Sequence, residues 1–314
     1  KIMGAIKGRD AIYVWTDTAL FLMRFVGAPF TFSFEQVGTN CGLFGKNAAV
    51  EVDGSSYWMS ENGFFTYDGQ LKSMPCLVED YVYDSVNDTS RDLINCGLNN
   101  LFGEINWFYC SEGSDVVDRV VTYNYLDSSA KQPIWTTGSL DRTAWQDSSV
   151  FNRPHATYYT PSDSDSFDVT GNTDGITIYY NQETGTDQVN AGGVVTAIQA
   201  NILSGDFDIT QKRSNTGQAV GTPDLRGDGE YIMRISRFIP DFINQTGATQ
   251  VSFTTRMYPN SSPVTSNFSI TNSTTFKSTR VRARSIALKI ANTSSGQDWK
   301  LGTFRLDISP GGLR

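Results

Sequence analysis

Few residues in this chain have the type and spacing needed for acid–base chemistry. The sequence has one histidine, His155, within the stretch Arg153-Pro154-His155-Ala156. A Ser-His-Asp triad would have to use it, and no G-x-S-x-G nucleophile elbow is present. A histidine next to a turn proline usually has a structural role, so we expect no catalysis by His155.

Carboxylates are abundant, but they do not form a recognisable site. Asp163, Asp165 and Asp168 resemble the beginning of a calcium-binding loop. The EF-hand reading fails because the sixth position is not Gly and the twelfth is not Glu. Whether the segment Asp163–Asp168 binds a cation stays open.

A glycosidase with paired carboxylates is the enzymatic alternative. Tryptophan and tyrosine side chains would then serve as platforms for sugars. Acidic residues recur along turns throughout the first half of the chain, and no pair stands out. We therefore expect a protein that is not an enzyme, with no catalytic residue, no metal site and no cofactor.

The four cysteines are Cys41, Cys76, Cys96 and Cys110, with spacings of 35, 20 and 14 residues. These spacings match no zinc-binding pattern. Each cysteine has apolar or small neighbours, which favours buried free thiols.

Three arginines alternate along one predicted strand, at Arg280, Arg282 and Arg284. Alternate residues of a strand point to the same face, so the sequence predicts a cationic ladder. Guanidinium groups suit bidentate contacts with carboxylates, which suggests a subunit interface with Trp299 as its apolar centre. The alternative is a strand face that is simply solvated. Apolar residues of the same parity follow the arginines, so we expect a bulge near Ser285 or a strand that crosses into the core.

The elements that would position these residues are best defined between residues 28 and 84. Phe30, Phe32 and Phe34 alternate with polar residues and predict a strand with one aromatic face. Asp53-Gly54 is a strong hairpin signal. Further turns at 61–63 and 68–69 separate short apolar runs, so residues 48–74 predict four antiparallel strands, the size of one β-propeller blade.

The order of several segments resembles the tail nozzle proteins of short-tailed bacteriophages, also called packaged-DNA stabilisation protein or tail tubular protein B. The resemblance covers nearly the whole chain, with a loose fit between about Tyr159 and Gly193. It rests on these segments: FTFSFEQVGTNCGLFGKNAAVEVDGSSYWMSENGFFTYDGQ, PCLVEDYVYDSVN, GSLDRTAW, SGDFDI and DWKLGTFRLDISPGG.

The resemblance implies a structural virion protein of the phage tail, assembled in the cytoplasm of the host bacterium. It implies a hexameric ring that contacts a tail adaptor ring and carries fibres or tailspikes. Genome DNA would cross the lumen without sequence recognition. The sequence opens inside a predicted strand, and together with the resemblance this predicts the C-terminal portion of a longer chain. The functional alternative is a tail-associated protein that binds or degrades polysaccharide.

Repeated aromatic positions support propeller blades. Trp15, Trp58, Trp107 and Tyr158 are separated by 43, 49 and 51 residues, close to the repeat length of propellers. We therefore predict an all-β protein. Propeller blades, incomplete in this chain, fill residues 1–190, with one or two short helices near residues 77–96. A β-sandwich-like C-terminal domain fills residues 191–314.

Charge changes at the same boundary. Residues 1–190 have a net charge of −14 and residues 191–314 have a net charge of +6. The acidic half argues against nucleic acid as a bound ligand, because phosphate contacts require cations, but it suits a conduit along which DNA slides. Acidity that merely keeps the surface soluble is an equally good explanation. No apolar run approaches 18 residues, so we predict no membrane anchor.

Overall fold

The structure is a computed structural model. It describes residues 1–129, 132–147, 154–160, 176–181, 187–189, 194–198, 200–209, 229 and 231–312. The candidate cation segment Asp163–Asp168 lies outside these ranges. The chain divides into two compact units, residues 1–184 and 185–314. The sequence placed this boundary between residues 190 and 191.

Unit 1 is a series of small antiparallel sheets, each made of strands that are consecutive in the chain. Blade 1 contains β1 (Ile2–Lys7), β2 (Ile12–Thr16), β3 (Ala19–Gly27) and β4 (Thr31–Thr39). Blade 2 contains β5 (Ala49–Val52), β6 (Ser55–Ser60), β7 (Gly63–Tyr67) and β8 (Leu71–Met74). The aromatic strand β4 therefore completes blade 1 and does not begin blade 2.

Blade 3 contains β9 (Asn95–Asn99), β10 (Glu104–Tyr109), β11 (Arg119–Asn124) and β12 (Trp135–Gly138). Blade 4 has three described strands, β13 (Ala144–Gln146), β14 (His155–Thr160) and β15 (Ile176–Asn181). Strands β9 and β13 are short; β9 pairs with β10, and β13 pairs with β14.

The turns of blade 2 have the conformations that their residues favour. Asp53 and Gly54 both adopt positive φ, at 49° and 86°. This is the type I′ arrangement, whose twist matches that of the flanking strands. The hairpin predicted from Asp-Gly is thus confirmed.

The blades are arranged as in a β-propeller. Their first strands lie side by side, β1 against β5, β5 against β9 and β9 against β13. Trp15, Trp58, Trp107 and Tyr158 each occupy the fourth position of the second strand of their blade. The predicted aromatic repeat is therefore a structural repeat, and the all-β prediction with propeller blades is confirmed.

Indole side chains join successive blades. Trp58 Nε1 donates to the carbonyl of Cys41, and Trp107 Nε1 donates to that of Ala48, each at 2.9 Å. Trp145 Nε1 donates to the carbonyl of Leu98 at 2.8 Å. Each bond reaches a backbone carbonyl in a preceding part of the chain. The indole ring is therefore buried without leaving its N–H unpaired.

Two short helices lie between blades 2 and 3, as predicted for residues 77–96. Helix α1 spans Glu79–Tyr83, and a 3-10 helix spans Asp88–Leu93. The side chain of Asn87 caps the second helix by accepting from the backbone N–H of Thr89 at 3.0 Å. Among the described residues, no helix has the length and apolar character needed to cross a bilayer.

Unit 2 has its own apolar core, built by strands of several sheets. One sheet has the order β18-β24-β21-β22, and a second has the order β23-β19-β26. Two small pairs, β16 with β17 and β20 with β25, complete the described strands. The strands are β16 (Asp187–Val189), β17 (Val195–Ala197), β18 (Asn201–Leu203), β19 (Met233–Ile239), β20 (Phe242–Thr246), β21 (Thr249–Arg256), β22 (Val264–Ile270), β23 (Lys277–Ala283), β24 (Ser285–Ala291), β25 (Asp298–Leu301) and β26 (Arg305–Pro310).

The chain ends β23 and begins β24 on either side of Arg284. Phe207 forms an isolated bridge with Ile286. The break at Arg284 has a clear reason. There the chain leaves one sheet and enters the other, so the side chains on either side of Arg284 face different surroundings.

Candidate interaction surfaces

The outer face of blade 1 carries apolar side chains from three of its strands. Cross-strand partners place them together: Ile12 opposes Met23, Val14 opposes Phe21, Met23 opposes Phe34 and Phe25 opposes Phe32. We call this set the aromatic face; it contains Ile12, Val14, Phe21, Met23, Phe25, Phe32 and Phe34. The opposite face of blade 1 carries Tyr13, Trp15, Leu20 and Leu22, which are buried against the rest of unit 1.

The aromatic face is largely exposed. Phe25 and Phe34 are 73% and 64% exposed, and Phe30 at the hairpin turn is 79% exposed. The rings of Phe25 and Phe32 contact each other edge to face at 5.9 Å. Soluble monomers rarely expose a continuous apolar patch of this kind, which usually marks an interaction surface.

The other side of the same hairpin is polar. Arg24 Nη1 donates to Glu35 Oε2 at 2.8 Å, and Asp10 lies 3.5 Å from Arg24 Nη2. The projecting end of the hairpin is therefore amphipathic. Strand β4 is also the last strand of its sheet, so its outer backbone groups are available to another strand.

In unit 2, two of the three predicted arginines share a face. Arg280 and Arg282 are exposed on β23, while Thr279, Val281 and Ala283 alternate with them and are buried. Arg234 on β19 lies directly opposite Arg282. These three arginines line one concave surface with Gly311.

Arg284 does not belong to this face, which corrects the predicted ladder of three. It lies between β23 and β24, and its Nη1 donates to the carbonyl of Gly229 at 2.8 Å. Because the chain changes sheets here, alternation no longer keeps Arg284 on the side of Arg280 and Arg282.

Trp299, the expected apolar centre of an interface, is half-buried and contacts its own unit. Its ring meets Phe242 edge to face at 5.8 Å, and its Nε1 donates to Asn292 Oδ1. Trp299 therefore packs within unit 2, and the apolar surface suited to a partner lies instead on the aromatic face of blade 1.

A cavity of about 690 Å³ lies at one end of the sheets of unit 2. Asp206 and Asp208, Arg256, Tyr258 and Arg284 line it. Arg256 Nη1 donates to Asp206 Oδ1 at 2.7 Å, and Ser285 Oγ donates to Asp206 Oδ2 at 2.8 Å. An exposed tyrosine beside an arginine and two carboxylates has the chemistry that sugar binding requires.

The four cysteines are free thiols, with Cys41 and Cys110 buried and Cys76 and Cys96 half-buried. Burial raises the pKa of Cys76 and of Cys110 to about 11. It also raises the pKa of Cys41 and of Cys96. All four thiols are therefore protonated at neutral pH, which makes them poor nucleophiles.

The structure places His155 at the buried start of β14, between Gln146 and Asn181 of the neighbouring strands. Within the described part of the chain, His, Cys, Asp and Glu side chains form no group able to hold a metal ion. The candidate cation segment Asp163–Asp168 stays untested.

Sequence reasoning missed Arg234 and Phe25. Arg234 and Arg282 lie 48 residues apart in the sequence and meet only because β19 pairs with β23, and no local pattern signals this pairing. For Phe25 the sequence did contain an indication. The apolar run of β3 extends to Phe25, past the residues that are buried in the core of unit 1.

Comparisons with known proteins give only structural matches of low similarity. No family model matches this chain, and no curated protein matches it. Solved structures that match include a glycoside hydrolase, at 10% identity and a TM-score of 0.27, covering 92% of this chain and 81% of the other. An exo-β-1,3-galactanase from Phanerochaete chrysosporium matches at 9% identity and a TM-score of 0.29, covering 95% and 77%. An arabinoxylan arabinofuranohydrolase of glycoside hydrolase family 43 from Bacillus subtilis has a TM-score of 0.17 at 10% identity, covering 96% and 94%.

These matches correct the expectation that the chain is not an enzyme. The first two structures match with a probability of 0.99, and all three are glycoside hydrolases. That expectation is therefore withdrawn. At TM-scores below 0.3 the matches transfer no activity or substrate to this chain, so a function has to be argued from its own surfaces.

Proposed function

We propose that this chain is a structural subunit of a phage tail nozzle, which works as part of a closed, hexameric ring. The aromatic face of blade 1 carries the proposal. An exposed apolar sheet face of this size usually packs against another layer, and the described residues leave the aromatic face uncovered. The working form of blade 1 thus includes contact with further polypeptide.

The arrangement of unit 1 supports a role in assembly. The four blades form an arc through their first strands, and blade 1 stands at one end of it. A propeller blade normally packs its two faces against two neighbours. The aromatic face is the surface against which such a neighbour would pack.

The remaining parts of the proposal come from the sequence resemblance. They are the adaptor ring, the attached fibres or tailspikes, the virion location and the passage of genome DNA through the lumen. The net charge of −14 in residues 1–190 is consistent with a wall that repels DNA and lets it slide.

Electron microscopy of the purified chain tests this proposal, with light scattering as the measure of mass. We expect rings with a central lumen. Replacing Phe25, Phe32 and Phe34 with serine should prevent association and leave circular dichroism unchanged, because these side chains are exposed. Arg24→Gln with Glu35→Gln on the polar side of the same hairpin is the matched control and should still associate. A wild-type chain that stays monomeric at every concentration would refute the proposal.

A second candidate function is binding or cleavage of polysaccharide by unit 2. The cavity lined by Tyr258, Arg256, Asp206 and Asp208 favours it. An aromatic ring can stack on a sugar, and the charged groups can bind its hydroxyls. Glycoside hydrolysis uses a pair of carboxylates, and two carboxylates, Asp206 and Asp208, line this cavity.

Incubation with bacterial envelope polysaccharides tests this second candidate. Release of reducing ends that Asp206→Asn or Asp208→Asn abolishes would support cleavage. Retardation in a polysaccharide gel that Tyr258→Ala abolishes would support binding alone. Asp298→Asn, at an exposed carboxylate away from the cavity, is the control. A wild-type protein that shows neither effect would exclude the candidate.

A further inference from the structure

We propose that Arg234, Arg280 and Arg282 form a binding site for a doubly charged tetrahedral oxyanion, such as phosphate or sulfate. The site lies on the exposed face of the sheet β23-β19-β26, and it uses no residue of the aromatic face or of the cavity lined by Tyr258.

The three guanidinium groups share one concave surface. Arg280 and Arg282 are two residues apart on β23 and point to the same side. Arg234 faces Arg282 directly across the β19–β23 ladder. Together with Gly311 they line a cavity of about 380 Å³, a volume suited to a small anion with its water molecules.

The charge at this surface is uncompensated among the described residues. No carboxylate there forms an ion pair with Arg234, Arg280 or Arg282, whereas Arg237 and Arg256 in the same unit are paired with Asp307 and Asp206. Asp307 is held by Arg237 Nε at 3.3 Å. Like charges directly opposite each other destabilise a sheet, so an anion bound between Arg234 and Arg282 would stabilise this pair.

The end of the chain shapes the site. Arg282 Nη2 donates to the carbonyl of Gly311 at 3.4 Å. A Cβ atom at Gly311 would lie 3.1 Å from the carbonyl oxygen of Ile232 and 3.6 Å from Arg282 Nε. The absence of a side chain at Gly311 therefore keeps the cavity open beside the Arg282 guanidinium.

An anion with two negative charges matches this arrangement better than a monoanion. Guanidinium forks bind tetrahedral oxyanions in a bidentate manner, and three forks around one cavity can contact several oxygens of a single ion. The same oxyanion chemistry could be supplied by free phosphate or by the phosphodiester backbone of DNA. The small cavity and the three converging charges favour the free dianion.

Titration of the full chain with inorganic phosphate tests the site, by calorimetry and by the change in Tm. We expect saturable binding and a rise in Tm, and the Kd should increase about tenfold in each of Arg234→Gln, Arg280→Gln and Arg282→Gln. Arg237→Gln is the matched control, because Arg237 lies in the same sheet but is paired with Asp307. In phosphate-free buffer of low ionic strength, Arg282→Gln should raise Tm by relieving its repulsion with Arg234.

Three results would overturn the proposal. One is a Tm that does not respond to phosphate. Another is an equal loss of phosphate binding in the Arg237→Gln control. The third is binding of a short DNA duplex that phosphate does not displace, which would assign the surface to the DNA backbone. Failure of ring formation in wild-type protein would not affect this test, because the site lies within one chain.

Discussion

At the scale of single residues, burial controls the chemistry of the thiols. Cys76 and Cys110 are ordinary cysteines by sequence, yet burial raises the pKa of each thiol from 9.0 to about 11. Desolvation disfavours the thiolate, which is the form that reacts with electrophiles and binds metals.

We predict that iodoacetamide alkylates Cys76 and Cys110 of the folded protein slowly at pH 8 and much faster near pH 11. Mass spectrometry of peptides after timed quenching measures both rates. Because the folded state holds these protons more tightly than the unfolded chain, stability is retained below pH 9 and lost as pH rises through about 11. Alkylation at pH 8 that is as fast in folded as in urea-unfolded protein would contradict the prediction.

At the scale of elements, backbone contacts decide where the segment between blades 1 and 2 can run. A Cβ atom built on Gly42 would lie 2.1 Å from the carbonyl oxygen of Asp17. Only glycine permits this approach, because the contact is with backbone and not with a flexible side chain.

We predict that Gly42→Ala lowers the free energy of unfolding by about 1–3 kcal/mol, the usual cost of an overpacked site. Gly138→Ala in the same unit is the control, since its nearest neighbour would be a Val120 methyl at an ordinary 3.5 Å. Urea unfolding followed by tryptophan fluorescence compares the two variants. Equal midpoints for both would show that the segment can move away from Asp17.

At the scale of the whole molecule, the two units differ in the sign of their net charge. The acidic unit 1 and the arginine face of unit 2 suit a head-to-tail contact between subunits of a ring. Sequence analysis included Arg284 in that contact. The structure removes it, because the guanidinium of Arg284 bonds to Gly229 within its own chain.

We predict that Arg280→Glu combined with Arg282→Glu raises the concentration needed for ring assembly about tenfold at low salt, since exposed ion pairs contribute only about 0–1 kcal/mol each. The protomer should stay folded. Analytical ultracentrifugation at low and high salt measures the effect, with Lys289→Glu on the other sheet as control. Assembly at the wild-type concentration would exclude these arginines from the contact.

The sequence alone determined the features that depend on neighbouring residues. The alternation of Phe30, Phe32 and Phe34 with polar residues predicted a strand. The Asp53-Gly54 pair predicted a turn, and the recurrence of Trp15, Trp58, Trp107 and Tyr158 predicted blades. These signals are local, because a strand's side-chain period and a turn's φ angles are set within a few residues.

Only the tertiary structure decided which strands share a sheet and which faces stay uncovered. It assigned the aromatic strand β4 to blade 1, ended the arginine ladder at Arg282 and brought Arg234 to it. In the structure Trp299 is half-buried, whereas Phe25 and Phe34 are exposed. These outcomes depend on hydrogen bonding and packing between segments far apart in the chain, and alternation within one segment carries no information about its distant partner.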